Sequence, residues 1–251
     1  MKFGITLFLV LFTFLACWLK IIPILWGAFF LVIEISLIVI GITCIQTNFF
    51  IKGFHKLKTD GKKEIAITFD DGPNPDFTLR VLKLLKKYNC KATFFCVGKN
   101  LKLYPEIAKT IVADGHAIAN HSYTHSQYID FKLSSGWTEE LRLTQEEIAK
   151  ITGEKKSIFR PPYGITTPHL AHAVKKMNLT VVGWSVRPYD TLSQPIKIIT
   201  DKIKNKTKNG SILLLHDSHS RTIPILEIII PYFLSLGYQF VTINETSDLK
   251  G

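Results

Sequence analysis

The chain's hydrophobic and polar positions divide it into two unlike parts. From Phe3 to Leu19, and again from Ile21 to about Ile45, the residues are almost wholly apolar, with Lys20 between the runs and Glu34 inside the second. Neither run has a polar face, so neither has the pattern of a surface helix in a soluble domain. A bilayer core takes about 20 apolar residues per helix; the second run meets that length and the first falls near its lower limit. The pattern predicts a membrane anchor over residues 1–46. It is either a two-span hairpin linked near Lys20 and Pro23, or a single span preceded by a signal-like segment. Glu34 is then a functional or pairing residue, or a carboxyl facing a neighbouring helix. Residues 47–64 are basic and polar, with Gly53 and Gly61, and read as a juxtamembrane linker.

From Ile65 onward short apolar runs alternate with amphipathic segments. Strands are expected at Ile65–Phe69, Ala92–Val97, Ala117–Ala119, Ile158–Phe159, Thr180–Gly183, Ser211–Leu215 and Gln239–Ile243. Helices are expected at Thr78–Tyr88, Pro105–Asp114, Thr138–Thr152 (capped by Thr138), Pro168–Met177, Ile196–Lys206 and Ile223–Leu236. Strands separated by helical crossovers give a parallel sheet. Their number is close to the eight that close a barrel, so residues 65–251 are expected to form an α/β domain, a distorted (β/α)7–8 barrel.

Composition narrows the class of partner. The formal net charge is +11, from lysines scattered at helical spacing. That suits a solvated surface or an anionic membrane or polymer; with no Walker-type, zinc-finger or aromatic nucleic-acid pattern, a nucleic-acid partner is not expected. Lys2 and the cluster Lys52, Lys56, Lys58, Lys62 and Lys63 flank both outer ends of the apolar region. For a two-span hairpin this places both termini in the cytoplasm, whereas for one span it decides nothing. The expected location is the cell membrane, single- or two-pass, with the side of the catalytic domain open. Cys17, Cys44, Cys90 and Cys96 form no disulfide framework.

The chemistry collects where strands end. In a β/α barrel the reactive groups sit at the C-terminal ends of strands. Those positions carry Asp70-Asp71, His121 through His125, Arg160 through Gly164, Trp184-Ser185 with Asp190, and Leu214 through Asp217. Any one of these is an ordinary turn or packing residue; five strand ends in register are hard to assign to packing. Neighbours on a strand point apart, so Asp70 and Asp71 share a cavity only if the chain turns just after Phe69. Two adjacent carboxylates need a cation or a donor between them. His121 and His125, four apart, joined to an Asp from another strand end, make a two-histidine, one-carboxylate metal site with open positions. Metal held by Asp71 leaves Asp70 free as a base.

The segments Thr68–Pro73, His121–His125, Arg160–Tyr163 and Leu214–His216 resemble, in order, the motifs of the polysaccharide deacetylase (NodB-homology) superfamily, carbohydrate esterase family 4. The resemblance covers roughly Glu64 to Ile243. It implies a distorted β/α barrel, a divalent metal (usually Zn2+), and hydrolysis of an N-acetyl group on an amino sugar. Asp71, His121 and His125 are then the metal ligands and Asp70 the general base that deprotonates the attacking water. Arg160 pairs with Asp70 and holds it ionised; the Tyr163 backbone N–H stabilises the oxyanion. Leu214 lines the acetyl pocket, His216 protonates the leaving amine, and Asp190 orients that histidine.

One motif departs from the family. Where many members carry Asp-x-x-Asp-Trp, this chain has Arg187-Pro188-Tyr189-Asp190-Thr191. The second acid survives, while Arg187 and Thr191 alter the substrate-facing wall. Arg187 either meets an anionic group on the substrate or forms a surface salt bridge. The expected function is deacetylation of an amino sugar in a cell-envelope glycan. Alternatives are deacetylation of a polyprenyl-phosphate-linked amino sugar at the membrane, and an inactive carbohydrate-binding membrane protein. The partners implied are an N-acetylated glycan or lipid-linked sugar, and the membrane.

Overall fold

The computed structural model describes residues 2–155, 157–243 and 249–250, leaving out the side chains of Lys2, Leu249 and Lys250. Two apolar helices open the chain, α1 (Lys2–Trp18) and α2 (Ile24–Thr43), joined by a short turn. They pack as a hairpin, and their outward Phe, Leu, Ile and Trp side chains are largely exposed. Glu34 faces α1, where it accepts a hydrogen bond from Thr13 Oγ1 at 3.0 Å. Among the described residues only α2 has the length and apolarity to cross a bilayer; α1 is shorter.

The remaining elements follow in alternation. They are β1 (Gly53–Phe54), β2 (Lys56–Leu57), β3 (Glu64–Asp70), α3 (Thr78–Lys87), β4 (Ala92–Cys96), α4 (Gly98–Leu103) and α5 (Pro105–Ala113). After them come β5 (Ala117–Asn120), α6 (Ser134–Thr152), β6 (Ile158–Phe159), α7 (Pro168–Lys176) and β7 (Thr180–Val182). The chain ends with α8 (Ile196–Lys206), β8 (Ile212–His216), α9 (Thr222–Ser235), β9 (Gln239–Phe240) and β10 (Leu249–Lys250). Eight of the strands form one parallel sheet in the order β1-β7-β6-β5-β4-β3-β8, with β9 beside the start of β3.

The sheet curls into a half-barrel that does not close by a regular ladder. Between β7 and β8 the gap is spanned by a single bridge, Val186 to Leu213. Strand β1 pairs with the last two residues of β7, and Leu57 N–H donates to Gly210 O, ahead of β8, at 2.8 Å. Residues 53–57, expected as linker, are thus built into the gap. Their strands are two residues each, too short to show an alternating pattern.

Alternation along β3 builds two cores. Ile65, Ile67 and Phe69 face the outer helices and pack with residues of α3, α5, α8 and α9. Ala66 belongs to the inner cluster, with Phe95, Phe159, Val182 and Leu214. Covering both faces is what a parallel sheet requires, and it explains why β3 is buried from Ile65 to its end. The inner row continues through Thr68 to Asp70, so the sheet's own periodicity delivers a carboxylate to the mouth of the barrel.

Local departures from expectation have simple causes. Helix α6 starts at Ser134, four residues before Thr138, whose Oγ1 donates back to Ser134 O at 2.8 Å instead of capping. Trp137, fully buried, anchors that first turn. Helix α4 was not expected, because six residues beginning with Gly98 carry no helical period. The strand expected over Gln239–Ile243 spans only Gln239–Phe240. The cysteines are all free.

Candidate active site

Strand β3 ends at Asp70, and the backbone turns at Asp71, whose φ is 76°. This left-handed turn, costly for a side chain other than glycine, aims both carboxylates into one cavity. Beneath Asp70 lies Arg160, fully buried, from the loop after β6. Its guanidinium donates to Asp70 Oδ1 and Thr68 Oγ1, both at 2.7 Å, to Val182 O at 3.1 Å and to Gly183 O at 2.8 Å. It also lies 3.9 Å above the Phe95 ring. Burial works against the Arg160 charge, and the Asp70 carboxylate works for it. A buried charge survives only when paired and fully hydrogen-bonded, which is the arrangement found.

Beside Asp70 stand Asp71, His121 and His125. Asp71 Oδ1 is 3.5 Å from His121 Nε2 and 3.3 Å from His125 Nε2, and the three donor atoms lie within 4.8 Å of one another. The arrangement fits a divalent cation on a further ground. His121 Nδ1 sits 2.8 Å from Arg160 O; a proton there leaves Nε2 as a lone pair facing the cluster, the usual orienting contact of a metal-binding histidine. Burial, reinforced by the nearby His121, lowers His125 to about 4, so its imidazole is neutral at pH 7 as coordination requires. For Asp71, burial opposes ionisation, but its contacts with the neighbouring histidines, His121 first, outweigh it and hold the carboxyl well below its usual range. Asp70 Oδ2 stands 3.8 Å from His121 Nε2, at the border of the cluster.

The turn that carries both histidines is held from below. Ser122 and His125 have φ of 65° and 48°. Glu140 of α6, 4% exposed, accepts from the backbone N–H groups of Tyr123 and Thr124 at 2.9 and 2.8 Å and from Thr124 Oγ1 at 2.9 Å. Asn120 Oδ1 accepts from Ser122 N–H at 2.9 Å. The sequence signal for Glu140 is a charged residue on the inner face of an amphipathic helix, among the buried residues of α6.

Across the cavity is His216, at the end of β8, whose Nδ1 lies 3.1 and 3.3 Å from the two Asp190 carboxylate oxygens. Asp190 also accepts from the His216 backbone N–H at 2.9 Å. Burial alone would lower His216; the Asp190 hydrogen bond and charge, with Asp70 and Asp71, overcome it and raise the imidazole to about 9. The cavity between these groups has a volume of about 240 Å3. Its walls include Tyr163, Leu214, Trp184, Arg187, Thr191 and His219. Tyr163 has φ of 59° and its ring lies 4.8 Å from that of His125. Gly164 follows with φ of +75°, where a Cβ would stand 2.4 Å from the Trp184 ring; only glycine lets the indole close that wall.

Asp70, Asp71, His121, His125, Arg160, Tyr163, Asp190, Leu214 and His216 are all at this one site, with Arg160 and Asp190 behind the wall and the others on it. Trp184 also lines the cavity, and Thr68 accepts from Arg160. His169 and His172 lie on the exposed side of α7, and His116 is buried elsewhere, with Nδ1 accepting from Ala92 N–H at 3.2 Å.

Comparison with known proteins identifies the family of the domain that carries this site. The polysaccharide deacetylase family model matches residues 57–182. The peptidoglycan-N-acetylmuramic acid deacetylase PdaC of Bacillus subtilis is 34% identical over 189 residues, 75% of this chain and 40% of PdaC. Its solved structure superposes with a TM-score of 0.68, covering 73% of this chain and 89% of that one. The peptidoglycan-N-acetylglucosamine deacetylase PgdA of Listeria monocytogenes is 35% identical over 190 residues, 76% of this chain and 40% of PgdA. The chain thus spans two fifths of the length of these curated relatives. A pseudoenzyme of carbohydrate esterase family 4 from Bacillus anthracis, BA3943, is 26% identical, with a TM-score of 0.68 and coverage of 75% and 66%. The chain belongs to the polysaccharide deacetylase (NodB-homology) family.

Proposed function

We propose that this protein hydrolyses the N-acetyl group of an amino sugar in a cell-envelope glycan, using a divalent cation held by Asp71, His121 and His125. The observation that carries the proposal is the placement of Asp70, with Arg160 on one oxygen and the Asp71–His121–His125 cluster beside the other. Two imidazoles and one carboxylate favour Zn2+. A cation there supplies Lewis acidity, which makes water nucleophilic near neutral pH.

The chain's own residues do the rest. Asp70, paired with Arg160 through one oxygen, takes the proton of the attacking water through the other. The Tyr163 N–H, presented by the left-handed backbone, donates to the developing oxyanion, a contact of the kind worth about 3–4 kcal/mol. The acetyl methyl sits against Leu214. His216, protonated through its contact with Asp190, gives a proton to the leaving amine. The relative described as a pseudoenzyme shows that the fold alone does not guarantee turnover. Release of acetate from acetylated peptidoglycan or chito-oligosaccharide by the metal-loaded protein tests the proposal; no release from any N-acetylated sugar would refute it.

A second reading keeps the chemistry and changes the substrate to a lipid-linked amino sugar at the membrane surface. It rests on how the apolar hairpin joins the domain. Thr166, two residues beyond Gly164, donates its N–H to Ile42 O at 3.0 Å and its hydroxyl to Gly41 O at 3.3 Å. Gln46 Nε2 donates to Trp184 O at 3.3 Å. The last carbonyls of α2 are therefore satisfied by the loops that form the cavity, and an anchor of residues 1–46 would hold the cavity close to the bilayer. Comparing acetate release from soluble oligosaccharides and from lipid-linked sugars in membranes separates the two.

A further inference from the structure

We infer that Arg187 is a specificity residue that binds an anionic group, phosphate or carboxylate, attached to the acetylated amino sugar. The inference rests on the deacetylase reading above and names the substrate class of that site. Arg187 lines the same cavity as Asp70, Asp71 and His216. Its guanidinium lies over two aromatic rings, 5.1 Å from the Trp184 centroid and 5.2 Å from that of Tyr189, a ring it shares with Lys202 Nζ at 4.3 Å. Such cation–π contact positions a guanidinium without using its N–H donors. Among the described residues no carboxylate lies within ion-pair distance of Arg187 and no acceptor takes its N–H groups. The surface salt bridge that would account for it is not there.

Charge at the site runs the same way. Arg160 lies close enough for Arg187 to work against its charge. The carboxylates nearby are already engaged: Asp70 by Arg160, Asp71 by the two histidines, and Asp190 by His216. A divalent cation at Asp71, His121 and His125 would leave the cavity with a net positive charge, which favours an anionic sugar over a neutral one. Thr191, a small side chain, lines the same cavity. A half-buried fork of N–H groups donates to phosphate or carboxylate bidentately, and such charge-assisted pairs are the strong ones.

The test is calorimetric titration of the full metal-loaded chain and its Arg187→Ala and Arg187→Lys variants with three probes. These are N-acetylglucosamine 1-phosphate, N-acetylmuramic acid and neutral N,N′-diacetylchitobiose. The wild type is expected to bind at least one anionic probe about tenfold or more tightly than the neutral one, with a preference that weakens at high salt. Arg187→Ala should abolish that preference while leaving affinity for the neutral sugar unchanged, and Arg187→Lys should restore part of it. Tighter binding of the phosphate indicates a lipid-carrier or sugar-phosphate source; tighter binding of the carboxylate indicates a muramyl one. Equal affinity for charged and neutral probes in the wild type, or a preference that survives Arg187→Ala, overturns the inference. Acetate release is followed separately, so a protein that discriminates anions without hydrolysing them refutes the deacetylase reading and leaves the role of Arg187 standing.

Discussion

Arg160 Nη1 lies 2.7 Å from Asp70 Oδ1, and neither side chain has appreciable contact with solvent. The same arginine presents its backbone oxygen to His121 Nδ1 at 2.8 Å. One residue therefore fixes the proposed base through its side chain and a proposed metal ligand through its main chain.

Replacing Arg160 by methionine strands the Asp70 charge in the barrel and frees the carbonyls of Val182 and Gly183. Removing one partner of a buried pair typically costs about 3–5 kcal/mol. Denaturant unfolding of Arg160→Met should show a loss of that size, and Arg160→Lys, unable to reach four acceptors at once, a smaller one. An unchanged unfolding midpoint in both would contradict the account of the buried pair.

The pH profile should have an alkaline limb set by His216. Its pKa is raised to about 9 in the folded protein, above the ordinary histidine value of about 6.5. The proton donor is thus present below that value and is lost as pH rises through it. Asp190→Asn removes the carboxylate that does most to hold the proton, so the limb should move to lower pH. By the same linkage the pair's contribution to stability is full below the unfolded value and fades as pH climbs through the folded one. Rates measured across pH for both proteins check this; coincident alkaline limbs would remove His216 from the role of acid.

Glu140 touches no substrate, yet it holds the turn between His121 and His125. Glu140→Ala should weaken metal affinity about 10–100-fold, the usual cost of losing an outer-shell partner, with modest loss of fold stability. Competition with a calibrated chelator measures it. Wild-type affinity in the variant would mean the turn holds itself.

A substitution at Gly72 tests the packing behind the carboxylates. A Cβ there would stand 2.3 Å from the buried Asp217 Oδ2, which accepts a hydrogen bond from Thr78 Oγ1. Gly72→Ala should destabilise by about 1–3 kcal/mol, as overpacked cores do, and lower activity by displacing Asp71. Thermal unfolding beside a rate assay separates the two effects.

Much of this site is legible in the sequence, because it is written in strand ends. Asp70, Leu214 and His216 stand out as residues at strand ends and Arg160 by its place after β6, while the roles given to Leu214 and Arg160 come from the family resemblance. What the sequence hid was long-range. Nothing in Gly53 through Leu57 announces that it fills the gap between β7 and β8, since that pairing depends on strands more than a hundred residues away. Glu140 looks like any helical glutamate until the turn it holds is seen. Thr138 has the chemistry of a cap, but α6 begins a turn earlier, where packing of Trp137 decides the boundary.

The measurement that bears most directly on the central claim pairs metal content with turnover in two variants. Asp70→Asn is expected to retain a full complement of metal while losing about 10²–10⁴ in rate, the range for a missing general base. His121→Ala is expected to lose metal and activity together. An Asp70→Asn protein that turns over at the wild-type rate, or a His121→Ala protein that keeps its metal, would contradict the account.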